Sequence, residues 1–151
     1  MKKFFAPWFL LVCGLAFLGG CSSSSRIIAV GLRPEITAIE RAGDGSVNVT
    51  WQIVNTNIVP YLLSEVEHKV FVNGTEIGRV RSSSPLAVPA QTNAGATDRL
   101  ELSGNAASLL NAAAGTSANY RVETRITIQI YGDNTEKSQI AHTGTVTVVN
   151  K

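Results

Sequence analysis

Cysteine is scarce in this chain, with two in 151 residues, and so is histidine, also with two. Charge of one sign is lacking as well: 13 Lys and Arg stand against 11 Asp and Glu. Apart from Phe4 to Leu18 there is no long uncharged apolar run. Each shortage excludes a class. Without a second run there is no transmembrane pattern beyond the start. A neutral domain has no electrostatic footprint for nucleic acid or for an anionic membrane surface. At 44% apolar residues the chain is not a disordered one either.

The opening residues have an order of their own. Met1-Lys2-Lys3 is followed by the uncharged stretch and then by Leu18-Gly19-Gly20-Cys21. A short positive start, an apolar core and small residues before a cut make a secretory signal. Leu18-Gly19-Gly20-Cys21 resembles the lipobox of bacterial lipoproteins, in which a branched apolar residue precedes an obligatory cysteine by three places. That resemblance implies that residues 1–20 are removed and that Cys21 becomes the acylated N-terminus. The apolar stretch is shorter than a spanning helix and is interrupted by Pro7. A catalytic thiol at Cys21 would need a basic partner on a structured element, but Ser22 to Ser25 follow it.

Removing twenty residues from 151 leaves 131, with eleven basic and eleven acidic side chains. The single remaining cysteine can form no internal disulfide. This length suits one domain that buries about two-thirds of its unfolded surface without staples. Residues 21–33 read as a serine-rich tether, about 40 Å at full extension. Within it Ile27-Ile28-Ala29-Val30 could add an edge strand. By resemblance to lipoprotein sorting, Ser22 after the cysteine implies the outer membrane, facing the periplasm.

Residues 34–151 read in period two, the signature of half-buried strands. Glu35 to Glu40 precedes a Gly43-Asp44-Gly45 turn, then Val47, Val49, Trp51 and Ile53 alternate with polar neighbours. Trp51 is the expected core anchor. Val66, His68, Val70 and Val72 share a face and lead into Asn73-Gly74, a strong type I′ hairpin signal. The return strand is Thr75 to Val80, and Ser82 to Pro89 reads as a crossover loop. Asp98 to Leu102 forms a further short strand. In Tyr120 to Tyr131, Tyr120, Val122, Thr124, Ile126, Ile128 and Ile130 line one face, and a last strand runs through Ile140 to Val149. Residues 105–113 are rich in alanine and leucine, with Ser103 or Asn105 as N-cap and Gly115 as stop, and predict one short helix. About seven strands and one helix indicate an all-β, antiparallel β-sandwich.

Three segments carry a family resemblance. Trp51-Gln52-Ile53-Val54-Asn55-Thr56-Asn57, Val70-Phe71-Val72-Asn73-Gly74-Thr75-Glu76-Ile77-Gly78 and Val88-Pro89-Ala90, followed by a helix with Leu109-Leu110, resemble the water-stress-and-hypersensitive-response (WHy) domain. That domain belongs to the group-two late-embryogenesis-abundant proteins, and the resemblance covers roughly residues 34–149. It departs at Thr56, where the family has proline. It implies a fibronectin type III or immunoglobulin-like sandwich, stress or desiccation protection, and neither a reaction nor a cofactor. The motif residues are Asn55, Asn57, Asn73 and Gly74, whose residue types suit loops and turns.

Catalytic and metal signatures are not found. His68 and His142 have no ligand partner at metal spacing on their own elements, and Glu67 points away from His68. No Gly-x-Ser-x-Gly, His-Glu-x-x-His or Gly-x-Gly-x-x-Gly occurs. Arg121, Glu123 and Arg125 read as a solvated strand face. The expectation is therefore a non-enzymatic, monomeric lipoprotein without cofactor or metal. It is held to the membrane by its lipid and acts on a protein client, or else serves as a structural accessory to a partner in an envelope complex.

Overall fold

Strands form where the alternation predicts them, and the computed structural model, which describes residues 29–150, shows how they join. Nine strands run β1 (Leu32–Arg41), β2 (Val47–Asn55), β3 (Tyr61–Val72), β4 (Thr75–Ser82), β5 (Leu86–Val88), β6 (Asn93–Arg99), β7 (Glu101–Leu102), β8 (Ser117–Gln129) and β9 (Thr135–Asn150). One helix, α1 (Ala106–Ala113), lies between β7 and β8. Cys21, the lipobox and most of the expected tether lie outside the described residues. Ala29 and Leu32 already contribute to the core.

The order across the sheet is β6-β2-β1-β9-β8-β3-β4-β7, with β5 paired to the start of β3. Most neighbours are antiparallel, but β1 and β9 run parallel through Ile39–Val148, Glu40–Val149 and Arg41–Asn150. The all-β expectation holds, while the purely antiparallel arrangement is corrected to a mixed, curled sheet, a half-barrel. Parallel pairing arises because both chains enter β1 and β9 from the same end. The curl closes on one core, where the Trp51 ring of β2 meets the His68 ring of β3 edge-on, with centroids 4.4 Å apart. Trp51 also donates its Nε1–H to Asp98 Oδ2 of β6 at 2.9 Å, so its polar atom is satisfied while its rings are buried.

The structure departs from the sequence pattern at several places. β3 starts at Tyr61, well before Val66, because a bulge between Leu63 and Glu65 shifts the inward face by one residue. Ser82 to Pro89 is not all loop, since Leu86–Val88 pairs with Tyr61–Leu63. The strand expected at 98–102 is instead β6, which ends at Arg99, and the two-residue β7, with buried Leu100 between them. β9 starts at Thr135, since residues 135–147 pair in unbroken register with β8. Ile130 is not on the buried face of β8: the strand stops at Gln129 and Ile130 is exposed in the following turn. α1 starts after Asn105, which makes no side-chain capping bond. Its Ala106, Leu110 and Ala113 face the core, which suits a short helix held by packing rather than by propensity.

Candidate functional site

The four motif residues fall at opposite ends of the fold. Asn55 closes β2, and Asn57 lies in the β2–β3 loop, at the end where the chain enters β1. Asn73 and Gly74 turn β3 into β4 at the other end, a strand length of roughly 36 Å away. They do not form one site.

At the entry end the two asparagines organise the loops from inside. Asn55 is 1% exposed. Its Nδ2 donates to Val59 O at 2.8 Å and Pro89 O at 3.0 Å, and its Oδ1 accepts from the Asn57 N–H at 2.9 Å. Asn57 Nδ2 donates to Val30 O at 2.8 Å and to Tyr61 Oη at 3.2 Å. Thr56 donates both its N–H and its hydroxyl to Gly31 O, at 2.9 and 3.0 Å. Gly31 has φ +90, and a Cβ there would collide with the Asn57 carboxamide. Thr56 thus ties the loop to the entering chain through two hydrogen bonds.

Around this polar centre several outward side chains are large and apolar, set among exposed polar ones such as Thr56, Gln91, Thr92 and Asn93. Ile58 is 82% and Tyr131 88% exposed, Val59, Leu62 and Ile130 are exposed near them in the chain, and Val30, whose carbonyl bonds Asn57, is exposed too. Residues 56–64, 82–97 and 126–132 contain no Asp, Glu, Lys or Arg. Elsewhere among the described residues the large exposed apolar side chains are Leu102 and Val149. Six of eight therefore gather on the loops of one end. The periodicity of strands cannot signal such residues, but the uncharged run Ile58-Val59-Pro60-Tyr61-Leu62 could have.

At the far end the Asn73-Gly74 turn has φ 48 and 82, as a type I′ turn requires. The Asn73 N–H donates to Asn119 O at 2.8 Å, and Asn73 Oδ1 accepts from the Asn119 N–H at 3.1 Å. These contacts tie β3 to β8.

The outer face of β4-β3-β8-β9 carries the charges. Glu67 faces three guanidiniums, Arg81 at 3.4 Å, Arg79 at 3.6 Å and Arg125 at 4.0 Å. Lys69 pairs with Glu76 at 3.0 Å and Arg121 with Glu123 at 2.9 Å. Next to them an open groove of about 850 Å³ is lined by Glu65, Glu67, Arg125 and Lys137 among others. Two acids and two bases leave it neutral, so it favours neither anion nor cation. On β1 the hydrogen bond from Gln52 lowers the pKa of Glu35, burial opposes it, and Arg33 adds to the lowering.

Solved structures give similar folds. A crystal structure from Archaeoglobus fulgidus matches at TM-score 0.44 and 18% identity, over 77% of this chain and 94% of that one. A solution structure from Arabidopsis thaliana matches at 0.48 and 12%, over 78% of each chain. The neighbours include a late embryogenesis abundant protein. This second solution structure, named as that of a putative late embryogenesis abundant protein, matches at 0.41 and 11%, over 79% of this chain and 73% of that one. No protein-family model and no curated protein matches the chain.

The histidines are separate. His68, on the same strand face as Val66, Val70 and Val72, is fully buried. Its Nδ1 shares a hydrogen bond of 2.7 Å with Thr124 Oγ1, and burial pulls its pKa down to about 3. His142 sits on β9, edge-on to Tyr120 at 6.3 Å. Among the described residues no group of three His, Cys, Asp or Glu could hold a metal ion, and no helix is long and apolar enough to cross a membrane.

Proposed function

We propose that this protein is a non-catalytic lipoprotein, anchored through Cys21 at the outer membrane facing the periplasm, whose curled β-sheet domain serves a stress- or desiccation-protective binding role. The observation that carries this reading is the use to which the motif residues are put. Asn55, Asn57 and Asn73 spend their side chains on holding loops and strands, so action falls to surfaces rather than to a reactive centre. The side chains best suited to chemistry are engaged as well: His68 is sealed in the core, and Glu67 is shared among three arginines. The stress-protective part rests on the sequence resemblance to the WHy domain.

Two measurements test the proposal. Cys21→Ser should move the protein from the membrane to the soluble fraction; continued membrane association would reject the anchor. The protein should also preserve the activity of a client enzyme through drying and rewetting, and no protection at any ratio would reject the stress role.

A second reading, an accessory that binds one protein partner, is favoured by the outer edge of β6. Among the described residues β6 ends the sheet and pairs with β2 alone, an edge of the kind that takes an added strand. A single stable crosslinked partner recovered from native envelopes would select this reading.

A further inference from the structure

The apolar end of the fold coincides with the end at which the chain enters it. Val30 immediately precedes Gly31, whose carbonyl anchors Thr56. Ile58 and Val59 follow within the same loop, and Leu62 pairs with Gln129, next to Ile130 and Tyr131. Cys21 lies eight residues before Ala29, at most about 28 Å of extended chain. An exposed leucine or valine on its own needs no explanation, but a contiguous set confined to one tip does.

Two further features define what could cover it. The loops that build the tip are uncharged over 56–64, 82–97 and 126–132, so an occupant meets no net charge. Four of their backbone carbonyls are also bonded from within. Asn55 takes the carbonyls of Val59 and Pro89, Gln91 N–H takes the carbonyl of Asn57, and Gln129 Nε2 takes that of Gly132 at 2.6 Å. Presenting apolar side chains over internally bonded backbone is what an apolar solvent demands of a loop. A tyrosine at the outer rim suits the interfacial zone, and Asp133 in the same turn, exposed to solvent, limits the depth to the headgroup level.

We propose that Val30, Ile58, Val59, Leu62, Ile130 and Tyr131 form a membrane-contacting tip that rests in the interface of the bilayer holding the Cys21 lipid. This rests on the anchor reading above. The lipid supplies the attachment, and the tip sets the orientation, standing the sheet on its entry end with the β6 edge and the charged face turned to the periplasm.

The test uses the full lipidated protein in vesicles of phosphatidylethanolamine and phosphatidylglycerol. With Cys21 acylated, a cysteine placed by Ile58→Cys, Tyr131→Cys or Asp44→Cys is the only free thiol and takes an environment-sensitive fluorophore. Labels at 58 and 131 should shift to the blue and be quenched by nitroxides carried on the lipid. The label at 44, at the opposite end, should do neither. The pattern should survive high salt and dilution of protein in lipid. In the I58D/Y131D double variant a label at Leu62→Cys should lose its lipid quenching while the protein still sediments with the vesicles and Trp51 emission stays native.

Other outcomes overturn the proposal. Sedimentation with equal, weak quenching at all three sites would show an anchored domain held clear of the bilayer. A blue shift without lipid quenching would mean that protein covers the tip, either residues preceding Val30 or, if the shift fades on dilution, a second copy. Lack of acyl mass on Cys21 would remove the anchor reading, and the oriented tip with it.

Discussion

His68 illustrates how a single side chain can matter for stability without acting on a ligand. Its pKa is about 3 in the fold because burial disfavours the charged ring, against an ordinary value of 6.5. The unfolded chain therefore binds a proton at pH values where the folded one does not. The stability tied to the neutral ring is fully present above pH 6.5 and is lost as pH falls from there toward 3, at about 1.4 kcal/mol per pH unit. Urea midpoints at pH 7 and pH 5 should differ accordingly, and His68→Gln should flatten that difference. Midpoints that change equally in both proteins would contradict it. Asn55 is the other residue with a large expected effect. Asn55→Ala removes the acceptor of the Asn57 N–H and the donor to the Val59 and Pro89 carbonyls from a buried position, which should cost about 2 kcal/mol in urea unfolding. Asn73→Gly, which keeps the positive φ and loses only the exposed contact to Asn119, should cost less than about 1 kcal/mol.

At the scale of elements, β2 and β8 were legible in advance, while the start of β3 and most of β6 were not. β2 buries every second residue from Val47 to Asn55, and β8 does so from Ala118 to Ile128, as period two predicts. β3 hides its first third because the bulge near Ser64 transfers burial from Leu63 to Val66. β6 hides too: as an edge strand its seven residues are exposed or half-buried, so no apolar face announces it. The charged face belongs to this scale as well. Glu67→Gln should destabilise by no more than about 1 kcal/mol, and the difference should shrink in high salt, because the pairs around it are solvent-exposed. A larger, salt-independent loss would mean that the three arginines are held for a purpose beyond the sheet.

For the molecule as a whole, one hydrophobic cluster joins residues from Ala29 to Val148, including β1, β2, β3, β8, β9 and α1. Unfolding should therefore be a single transition. Trp51, the only tryptophan after residue 8, should report the same urea midpoint by fluorescence as far-ultraviolet circular dichroism reports for the sheet. Separated midpoints would split the core into independent parts. The candidate site belongs to this scale, since no local motif contains it. Asn55 and Asn57 stood out in the sequence as loop formers, but the carbonyls they bond belong to Val30, Val59 and Pro89. Two of those lie 27 and 34 positions away.

What the sequence determined by itself was local. The alternation set which residues could line a core, Asn73-Gly74 set a turn that needs positive φ, and Leu18-Gly19-Gly20-Cys21 set the expectation of a lipid. Each is a matter of neighbouring residues and of backbone angles that few side chains tolerate. What only the tertiary structure decided was proximity: the parallel meeting of β1 and β9, the sealing of His68 against Trp51, the separation of Asn55 from Asn73, and the gathering of Val30, Ile58, Leu62 and Tyr131 at the entry end. Those outcomes depend on how nine strands share one buried volume. Pairing between distant segments carries no periodic mark in the chain, because it is settled by the burial of all of them together.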